Sequence, residues 1–346
     1  MYSENYSGNA ENTLLSCDVT SLYTSIPNKL GLQALSYWLS RCRNLIPSRF
    51  TDAFIFESAE FILTNNNFSF DDQIYNQQTG TAMGTNFAPD YACLSMGFLE
   101  ETKLFPKLSD HFPLSTCTII KSNLLRYIDD GFIICPKSLD INLLKDVLNN
   151  LHPNINFTFD LAKVITLQDG TVVKKLNFLD ITIILHPSGK IDTDIYYKET
   201  NSHDYLNFFS HHPNHVKTNI PYNLAKRIIV FCSDSSTVKI RLNELREWLL
   251  KCNYPSDIIE KSYHNAMLQG PAPMPKPKDN VLPFISTYHS NLDNNRTIKL
   301  CNELLQNSRD ERIQTVFKDC TTISALKQPP NLLRLLTNCK FFIFAR

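Results

Sequence analysis

The chain has 346 residues, of which 43% are hydrophobic and 20% charged. This composition is typical of a globular protein with one large or two ordinary domains and excludes a disordered chain. The longest apolar runs fall far short of the ~20 residues that a membrane helix needs. Because the polar, acidic start has no basic, apolar leader, we expect an intracellular protein, nuclear or cytoplasmic, without a membrane partner.

The charge is balanced over the whole chain but not along it. Residues 1–200 hold 15 Lys and Arg against 22 Asp and Glu, whereas residues 201–346 hold 19 against 12, so the two parts carry −7 and +7. This layout suits a metal-binding half joined to a half that contacts a polyanion, although ordinary variation in charge explains it equally well.

The ten cysteines include no Cys-x-x-Cys pair, which indicates reduced and mostly buried thiols. A zinc site formed by His211, His212 and His215 with a distant cysteine is a weaker interpretation than a polar loop.

The first hundred residues mix strand and helix patterns. Leu14–Val19 predicts a buried strand that contains an acid, Asp18, near its end. The pattern then predicts helices at Lys29–Arg43, Phe50–Leu63 and Ala88–Leu104, strands at Phe68–Phe70 and Ile74–Gln78, and a flexible loop at Gly80–Gly84.

The most informative segment is Tyr127–Asp130, which stands between two apolar runs. This pattern predicts a strand, a tight turn and a second strand, with the aspartates at the tip. Beyond it the sequence predicts a helix at Leu139–Leu151 and strands at Ile155–Asp160, Asn177–Leu185 and Ile191–Tyr197.

After residue 200 helical patterns dominate. They predict helices at Asn223–Cys232, Ser236–Lys251 and Ser256–Met267, and a short strand followed by helices within Val281–Arg346. Five prolines between residues 270 and 283 indicate a stiff linker. The predicted parts are therefore a first domain at 1–200, a helical module at 201–269, a linker at 270–283 and a helical segment at 284–346.

Adjacent carboxylates on a rigid turn repel each other unless a cation lies between them. Mg²⁺ takes oxygen ligands, and acids from two neighbouring strands can hold the two Mg²⁺ ions of a nucleotidyl transfer site. Asp18 supplies an acid from a second strand, about 110 residues before Asp129. A carboxylate-metal nuclease is a poorer alternative, because no His or Glu stands at nuclease-like spacing.

Four segments in order resemble the palm motifs of reverse transcriptases. They are Cys17–Pro27, Gly80–Pro89, Tyr127–Asp130 with its Tyr-x-Asp-Asp signature, and Phe178–Asp180. A lone Tyr-x-Asp-Asp motif is weak evidence for a reverse transcriptase, but four such motifs in this order are strong evidence. The resemblance is more specific to Penelope-like retroelements, which are relatives of telomerase, and it covers residues 14–346. The segments whose sequences are similar to theirs are Ser21–Pro27, Gly80–Pro89, Asn177–Ile183 and His211–Arg227.

The resemblance implies a role for each matching residue. Asp18 and Asp129 would be the principal catalytic metal ligands, with Asp130 as an auxiliary acid, for two Mg²⁺ or Mn²⁺ ions. The nucleotide and template contacts would come from Tyr23 as steric gate, Gly80, Met83, Gly84, Pro89 and Tyr127. Met83 stands where many relatives carry glutamine, so pocket contacts would differ. Phe178 and Leu179 would support the primer end.

The resemblance implies an α+β fold: an antiparallel palm sheet with helices on one face, followed by an α-helical thumb or helix-turn-helix-like region. It implies an RNA-directed DNA polymerase that takes an RNA template, a DNA primer and dNTPs. Arg227, Lys239, Arg241 and Arg246 would contact phosphates or form a solvated face. The alternative is a non-catalytic nucleic-acid-binding relic of such an element.

Two regions that accompany this palm in relatives have no counterpart in the sequence. Few residues precede Asp18 where a fingers region is expected, and no Gly-Ile-Tyr…Tyr-Ile-Gly nuclease motif follows. We therefore expect a truncated retroelement protein. The sequence gives no indication of its oligomeric state.

Overall fold

A computed structural model describes residues 12–167, 169–268, 281–287, 294–308, 310 and 320–327. The chain divides into two compact units. The first ends at Lys198 and also takes in Cys232–Asp234, and the second contains Glu199–Phe231 and the chain from Ser235 onward. Each unit is described by itself below.

The first unit contains seven α-helices and ten strands among its described residues. Its helices are α1 (Leu22–Ser25), α2 (Asn28–Cys42), α3 (Asp52–Thr64), α4 (Ala88–Leu99), α5 (Phe105–His111), α6 (Leu114–Asn123) and α7 (Ile141–Asn149). Its strands are β1 (Thr13–Val19), β2 (Asn67–Phe70), β3 (Gln73–Asn76), β4 (Leu125–Tyr127), β5 (Asp130–Cys135), β6 (Phe157–Leu161), β7 (Lys163–Thr166), β8 (Val172–Phe178), β9 (Ile181–Leu185) and β10 (Ile191–Ile195).

A four-stranded antiparallel sheet with the order β4-β5-β1-β6 forms the centre of this unit. Side chains alternate between the two faces of a strand, and Leu15, Cys17 and Val19 lie on the face of β1 that the helices cover. Leu15 packs in a core with residues of α5, α6 and α7, and Val19 packs with residues of α4. The sheet therefore has helices on one face, as the sequence predicts.

The opposite face of β1 meets a second antiparallel sheet, with the order β10-β9-β8-β7. Leu14 and Phe132 pack here against Leu176, Ile183 and Leu185 of the second sheet. Near the carboxyl end of β1 this apolar contact gives way to Ser16 and Asp18, which open onto a pocket.

Two local predictions in this unit are corrected, and four of its elements were not predicted. Asn177–Leu185 is not one strand, because the chain turns back at Leu179–Asp180 between β8 and β9. The helix predicted at Ala88–Leu104 is α-helical only to Leu99 and continues as a π-helical segment at Glu100–Leu104. Helices α1, α5 and α6 and strand β7 were not predicted, because short segments carry too few repeats of an apolar period.

Three helices form the core of the second unit: α8 (Asn214–Phe231), α9 (Ser235–Lys251) and α10 (Ser256–Leu268). The predicted start of the first of them, Asn223, is wrong by about two turns, since α8 begins at Asn214 and holds Pro221 within it. Leu245 and Ile259 are buried between the helices, and the Tyr263 hydroxyl donates to the Leu242 carbonyl at 3.0 Å.

Beyond α10 the described residues form β11 (Val281–Thr287), α11 (Asn294–Gln306) and β12 (Thr321–Lys327), with β11 and β12 paired in parallel. The strand β12 was not predicted within the segment at 284–346. Most of the linker predicted at 270–283 lies outside the described residues, as do residues 1–11 and 328–346. Among the helices that the structure describes, none has the length and apolarity to span a membrane.

Candidate active site

The sheet register brings acids from distant parts of the chain to one face. Asp18 of β1 lies directly opposite Asp130 of β5, which in turn lies opposite Tyr127 of β4. Directly opposed residues in an antiparallel pair point to the same face. The row Tyr127, Asp130, Asp18 and Thr158 therefore runs across the sheet on its pocket-facing side.

Asp129 lies in the two-residue turn that joins β4 to β5. The turn places Ile128 in the left-handed region, with φ of 55°, which is unusual for a β-branched residue. The Val19 amide donates to the Asp129 carbonyl at 3.2 Å, so the tip of the hairpin is tied to the end of β1. The predicted hairpin with aspartates at its tip is present.

The three carboxylates interact electrostatically. Partial burial, and then the charge of Asp129, raises the pKa of Asp18 above its ordinary value. Partial burial also raises the pKa of Asp130, together with the charges of Asp129 and Asp18, while Lys198 acts in the opposite direction. Negative charge is therefore concentrated at this end of the sheet, which favours a cation.

These acids fit a Mg²⁺ site in donor chemistry, since Mg²⁺ prefers carboxylate oxygens. They do not form a closed cage: within the described parts of the chain, no three His, Cys, Asp or Glu side chains converge as a ready-made metal site. The same statement covers the zinc site considered at His211, His212 and His215. Mg²⁺ is commonly held by one or two carboxylates together with substrate phosphates and water, which such an open arrangement allows.

The predicted steric gate, Tyr23, lies beside the acids. Burial raises the pKa of its hydroxyl, with smaller contributions from Asp129 and Tyr127. The Gly80 loop packs directly on this segment: the Thr81 amide donates to the Tyr23 carbonyl at 2.7 Å. A side chain at Gly80, whose φ is 76°, would lie 2.4 Å from that carbonyl oxygen. Glycine is therefore required here by both conformation and space.

The rest of the predicted template loop is exposed. Met83 is 70% exposed, and Gly84 has φ of 94° with open space around it. Pro89 lies in the first turn of α4, a position that suits proline. The structure thus places Gly80 beside Tyr23, and leaves Met83, Gly84 and Pro89 on an open surface.

The predicted primer-grip residues lie at the same pocket as the acids. Phe178 and Leu179 line a cavity of about 120 Å³ together with Asp18 and Asp130. Leu179 occupies the first position of a two-residue turn with φ of 52°, the position that Ile128 occupies in the acid-bearing turn. Two hairpins of the same kind therefore meet the pocket, one carrying acids and one presenting apolar side chains.

The four basic residues predicted in the helical unit differ in their surroundings. Arg241 pairs with Glu244 at 2.8 Å, and Arg246 pairs with Glu260 at 2.9 Å. The Arg227 guanidinium lies 5.6 Å from the centre of the Phe231 ring. Lys239 is exposed on α9. Two of the four thus have carboxylate partners within the unit.

Two groups near the acids were missed by sequence reasoning. Arg126 and Glu100 form an ion pair behind the turn, with side chains only 16% and 18% exposed. The signal was an arginine inside the otherwise apolar strand before Tyr127. The second is Gly131, where an added methyl group would lie 2.5 Å from the Cys17 sulfur.

Part of the chain matches a known domain family. Residues 204–264, which include α8, α9 and most of α10, match the animal helix-turn-helix domain. No curated protein matches the chain.

Solved structures that resemble this chain include telomerases from Candida. The apo telomerase of Candida tropicalis is 13% identical with a TM-score of 0.42, and the match covers 92% of this chain and 48% of that one. Telomerase of Candida albicans, in complex with a fragment of telomeric RNA, is 11% identical with a TM-score of 0.42, covering 75% and 46%. This chain spans less than half the length of these telomerase chains.

Proposed function

We propose that this chain is the reverse transcriptase domain of a Penelope-like retroelement, which extends a DNA primer with dNTPs on an RNA template. One observation carries the proposal: Asp18 and Asp130 are cross-strand partners on one sheet face, with Asp129 in the adjoining turn. Asp18 is more than 100 residues away from the other two acids in sequence, and the three are the residues that the resemblance marks as metal ligands.

The donor set suits two Mg²⁺ or Mn²⁺ ions, held by Asp18 and Asp129 with support from Asp130. Such ions, when bound, activate the attacking hydroxyl and stabilise the departing pyrophosphate. The protein's own part is to keep the acids on a rigid sheet face, so that little reorganisation is needed when substrate arrives.

The roles that the resemblance gives to the surrounding residues are compatible with their positions. Tyr23 lies beside Asp129, where its ring restricts the sugar of an incoming nucleotide. Phe178 and Leu179 present apolar surface to the primer end in the pocket that contains Asp18. The exposed loop with Met83 and Gly84 offers a surface for the template, and glycine allows a close approach of backbone to the nascent pair.

Primer extension on an RNA template in Mg²⁺ tests this function. Wild type is expected to extend the primer, and Asp18→Asn and Asp129→Asn to abolish extension while still folding. Asp71→Asn is a matched control, because it removes an exposed aspartate on the β2–β3 hairpin whose left-handed backbone Asn accepts. No extension by wild type, or equal extension by Asp129→Asn, would overturn the proposal.

A second function, nucleic-acid binding without catalysis, is favoured by one separate observation, the helix-turn-helix match at residues 204–264. In this case the chain binds nucleic acid in a salt-dependent way that Asp129→Asn leaves unchanged. The two functions separate in a single comparison, since catalysis requires Asp129 and binding by the helical unit does not. For either function we place the protein inside the cell, in the nucleus or cytoplasm.

A further inference from the structure

Arg126 lies directly behind the acids, on the opposite face of the same sheet. It is opposed by Gly131 on β5, and Gly131 is opposed by Cys17 on β1. This row adjoins the row that holds Asp18 and Asp130, so Arg126 points towards the helices. The Arg126 side chain is 16% exposed, which is low for a charged group on a three-residue strand.

One guanidinium joins three separate pieces of backbone and side chain. Nε and Nη2 donate to the two carboxylate oxygens of Glu100, with Nη2 3.1 Å from Oε2. Nη1 donates to the Ile128 carbonyl at 3.0 Å, and Nη2 also lies 3.5 Å from the Cys93 carbonyl. Arg126 therefore connects the acid-bearing turn to the helix that contains Cys93 and Glu100.

The hydrogen bond from Arg126 matters because the Ile128–Asp129 turn is strained. Ile128 holds a left-handed conformation that costs a β-branched residue free energy, and strain of this kind persists only when the surroundings hold it. Arg126 binds the Ile128 carbonyl, and Val19 binds the Asp129 carbonyl. Both peptide groups of the turn are thus fixed, and with them the direction of the Asp129 Cα–Cβ bond.

The other end of the connection is helix α4 and the π-helical segment that begins at Glu100. Interruptions of this kind in a helix are often found at functional sites. The fit is close: a methyl group added at Gly97 would lie 3.3 Å from the Trp38 ring and 3.7 Å from Arg126 Nη2. Helix α4 follows directly on the Gly80–Pro89 loop, so Arg126 joins that loop's helix to the acids.

We propose that Arg126, locked by Glu100, is a positioning residue that holds the Ile128–Asp129 turn in its metal-binding geometry and couples it to the helix after the template loop. The metal-binding part of this inference rests on the proposed polymerase function. The hold on the turn itself does not, because it follows from the hydrogen bonds alone.

The chemistry explains why arginine stands here. The planar guanidinium has five N–H donors; two of its nitrogens donate to the Glu100 carboxylate and the third donates to the Ile128 carbonyl. A lysine ammonium is a compact point charge that cannot reach both acceptors. Glu100→Gln keeps an acceptor for Arg126 and leaves the bond to Ile128 intact. Arg126→Lys keeps the charge and loses the span, so these two variants separate charge from geometry.

Removing only one partner of a buried ion pair leaves an uncompensated charge and can unfold a protein, whereas replacing both with apolar residues is often neutral. The main test variant is therefore Glu100→Leu with Arg126→Met. A matched control is Arg43→Met, because Arg43 also bridges a carboxylate, Asp52 at 3.2 Å, and a carbonyl, Phe50 at 2.7 Å, away from the acids.

Three readouts are measured on the full chain: the urea midpoint, amide hydrogen exchange of Asp129 and Asp130, and Mn²⁺ affinity in the presence of a dNTP. We expect the paired variant and Arg126→Lys to keep a cooperative urea transition, to exchange these amides faster, and to bind Mn²⁺ about 10–100-fold more weakly, the usual cost of losing a residue that orients a metal ligand. Arg43→Met is expected to resemble wild type in exchange and affinity. Glu100→Gln leaves the Arg126 charge uncompensated and should lower the urea midpoint, but it keeps the bond to Ile128 and should change exchange and affinity less than Arg126→Lys.

Wild-type exchange and Mn²⁺ affinity in both the paired variant and Arg126→Lys would overturn the inference. If wild type itself neither binds Mn²⁺ nor extends a primer, the proposed function fails. The exchange measurement still decides the role of Arg126 in that case: faster exchange at the turn supports its hold, and unchanged exchange refutes it.

Discussion

Gly131 offers a sharp test of how tightly the acid-bearing strands are packed. It follows Asp130 directly and lies opposite Cys17, the neighbour of Asp18. A methyl group at Gly131 would lie 2.5 Å from the Cys17 sulfur, well inside contact distance. Cys17 is buried, and burial raises the pKa of its thiol to about 12, so it remains a neutral packing group at physiological pH.

Two opposing effects determine whether Gly131→Ala raises or lowers the free energy of unfolding. Without a clash, Ala in a strand is expected to stabilise by about 0.5–1 kcal/mol, because Gly loses more conformational freedom on folding. Overpacking a filled core costs about 1–3 kcal/mol. Because the sulfur is held by β1 in the middle of the sheet, we expect the clash to prevail and Gly131→Ala to be destabilising.

Urea unfolding of four proteins measures this effect: wild type, Gly131→Ala, Cys17→Ala and the double variant. In the Cys17→Ala background the sulfur is gone, so Gly131→Ala should become neutral or stabilising, with a coupling free energy of about 1–3 kcal/mol between the two sites. Additive effects of the two substitutions, or a stabilising Gly131→Ala in the wild-type background, would refute the packing argument.

Three other predictions concern charge, turn strain and nucleic-acid contact. Burial and the neighbouring acids raise the pKa of Asp130, so its contribution to stability is most favourable at low pH and is lost as pH rises through its folded pKa. Asp130→Asn should therefore raise the urea midpoint at neutral pH without divalent ions. A lower midpoint under these conditions would contradict this prediction. Leu179→Asn should stabilise the chain by up to about 1 kcal/mol, because left-handed backbone costs an ordinary residue about 1–2 kcal/mol. The same substitution should weaken primer binding. A loss of stability in urea would show that the turn is not strained. Lys239→Ala should lower the slope of log affinity for nucleic acid against log salt concentration by about 1. Arg246→Ala should change that slope less, because the Arg246 guanidinium already pairs with Glu260. The reverse order in a salt titration would argue against contact at Lys239.

Apolar alternation predicted the central strands well. Leu14–Val19 and the hairpin around Tyr127–Asp130 were expected within a residue or two, because one face of each strand is buried and leaves a clear pattern. The turn at Leu179–Asp180 was missed because a leucine occupies its left-handed first position, although Asp180 is a common turn residue. Left-handed backbone at a leucine is imposed by the pairing of β8 with β9, which local sequence does not reveal.

The sequence predicted that Asp18, Asp129 and Asp130 lie together, but it did not predict the residues that hold their turn. Motif order located Asp18 and Asp129, but the partner of Arg126 lies 26 positions away at Glu100, on a helix of another pattern. Likewise Arg241 and Arg246 looked available for phosphates, while the helical unit pairs each with a glutamate. Long-range ion pairs of this kind depend on tertiary packing and leave little trace in a single sequence.

The most direct test of the account is whether Asp18 and Asp129 jointly bind a divalent cation with nucleotide. Calorimetric titration of Mn²⁺ into the full chain with a dNTP present measures this, since phosphate oxygens complete sites of this type. We expect binding by wild type and Asp71→Asn, and its loss in Asp18→Asn and Asp129→Asn. Equal Mn²⁺ binding by all four proteins, or none by wild type, would contradict it.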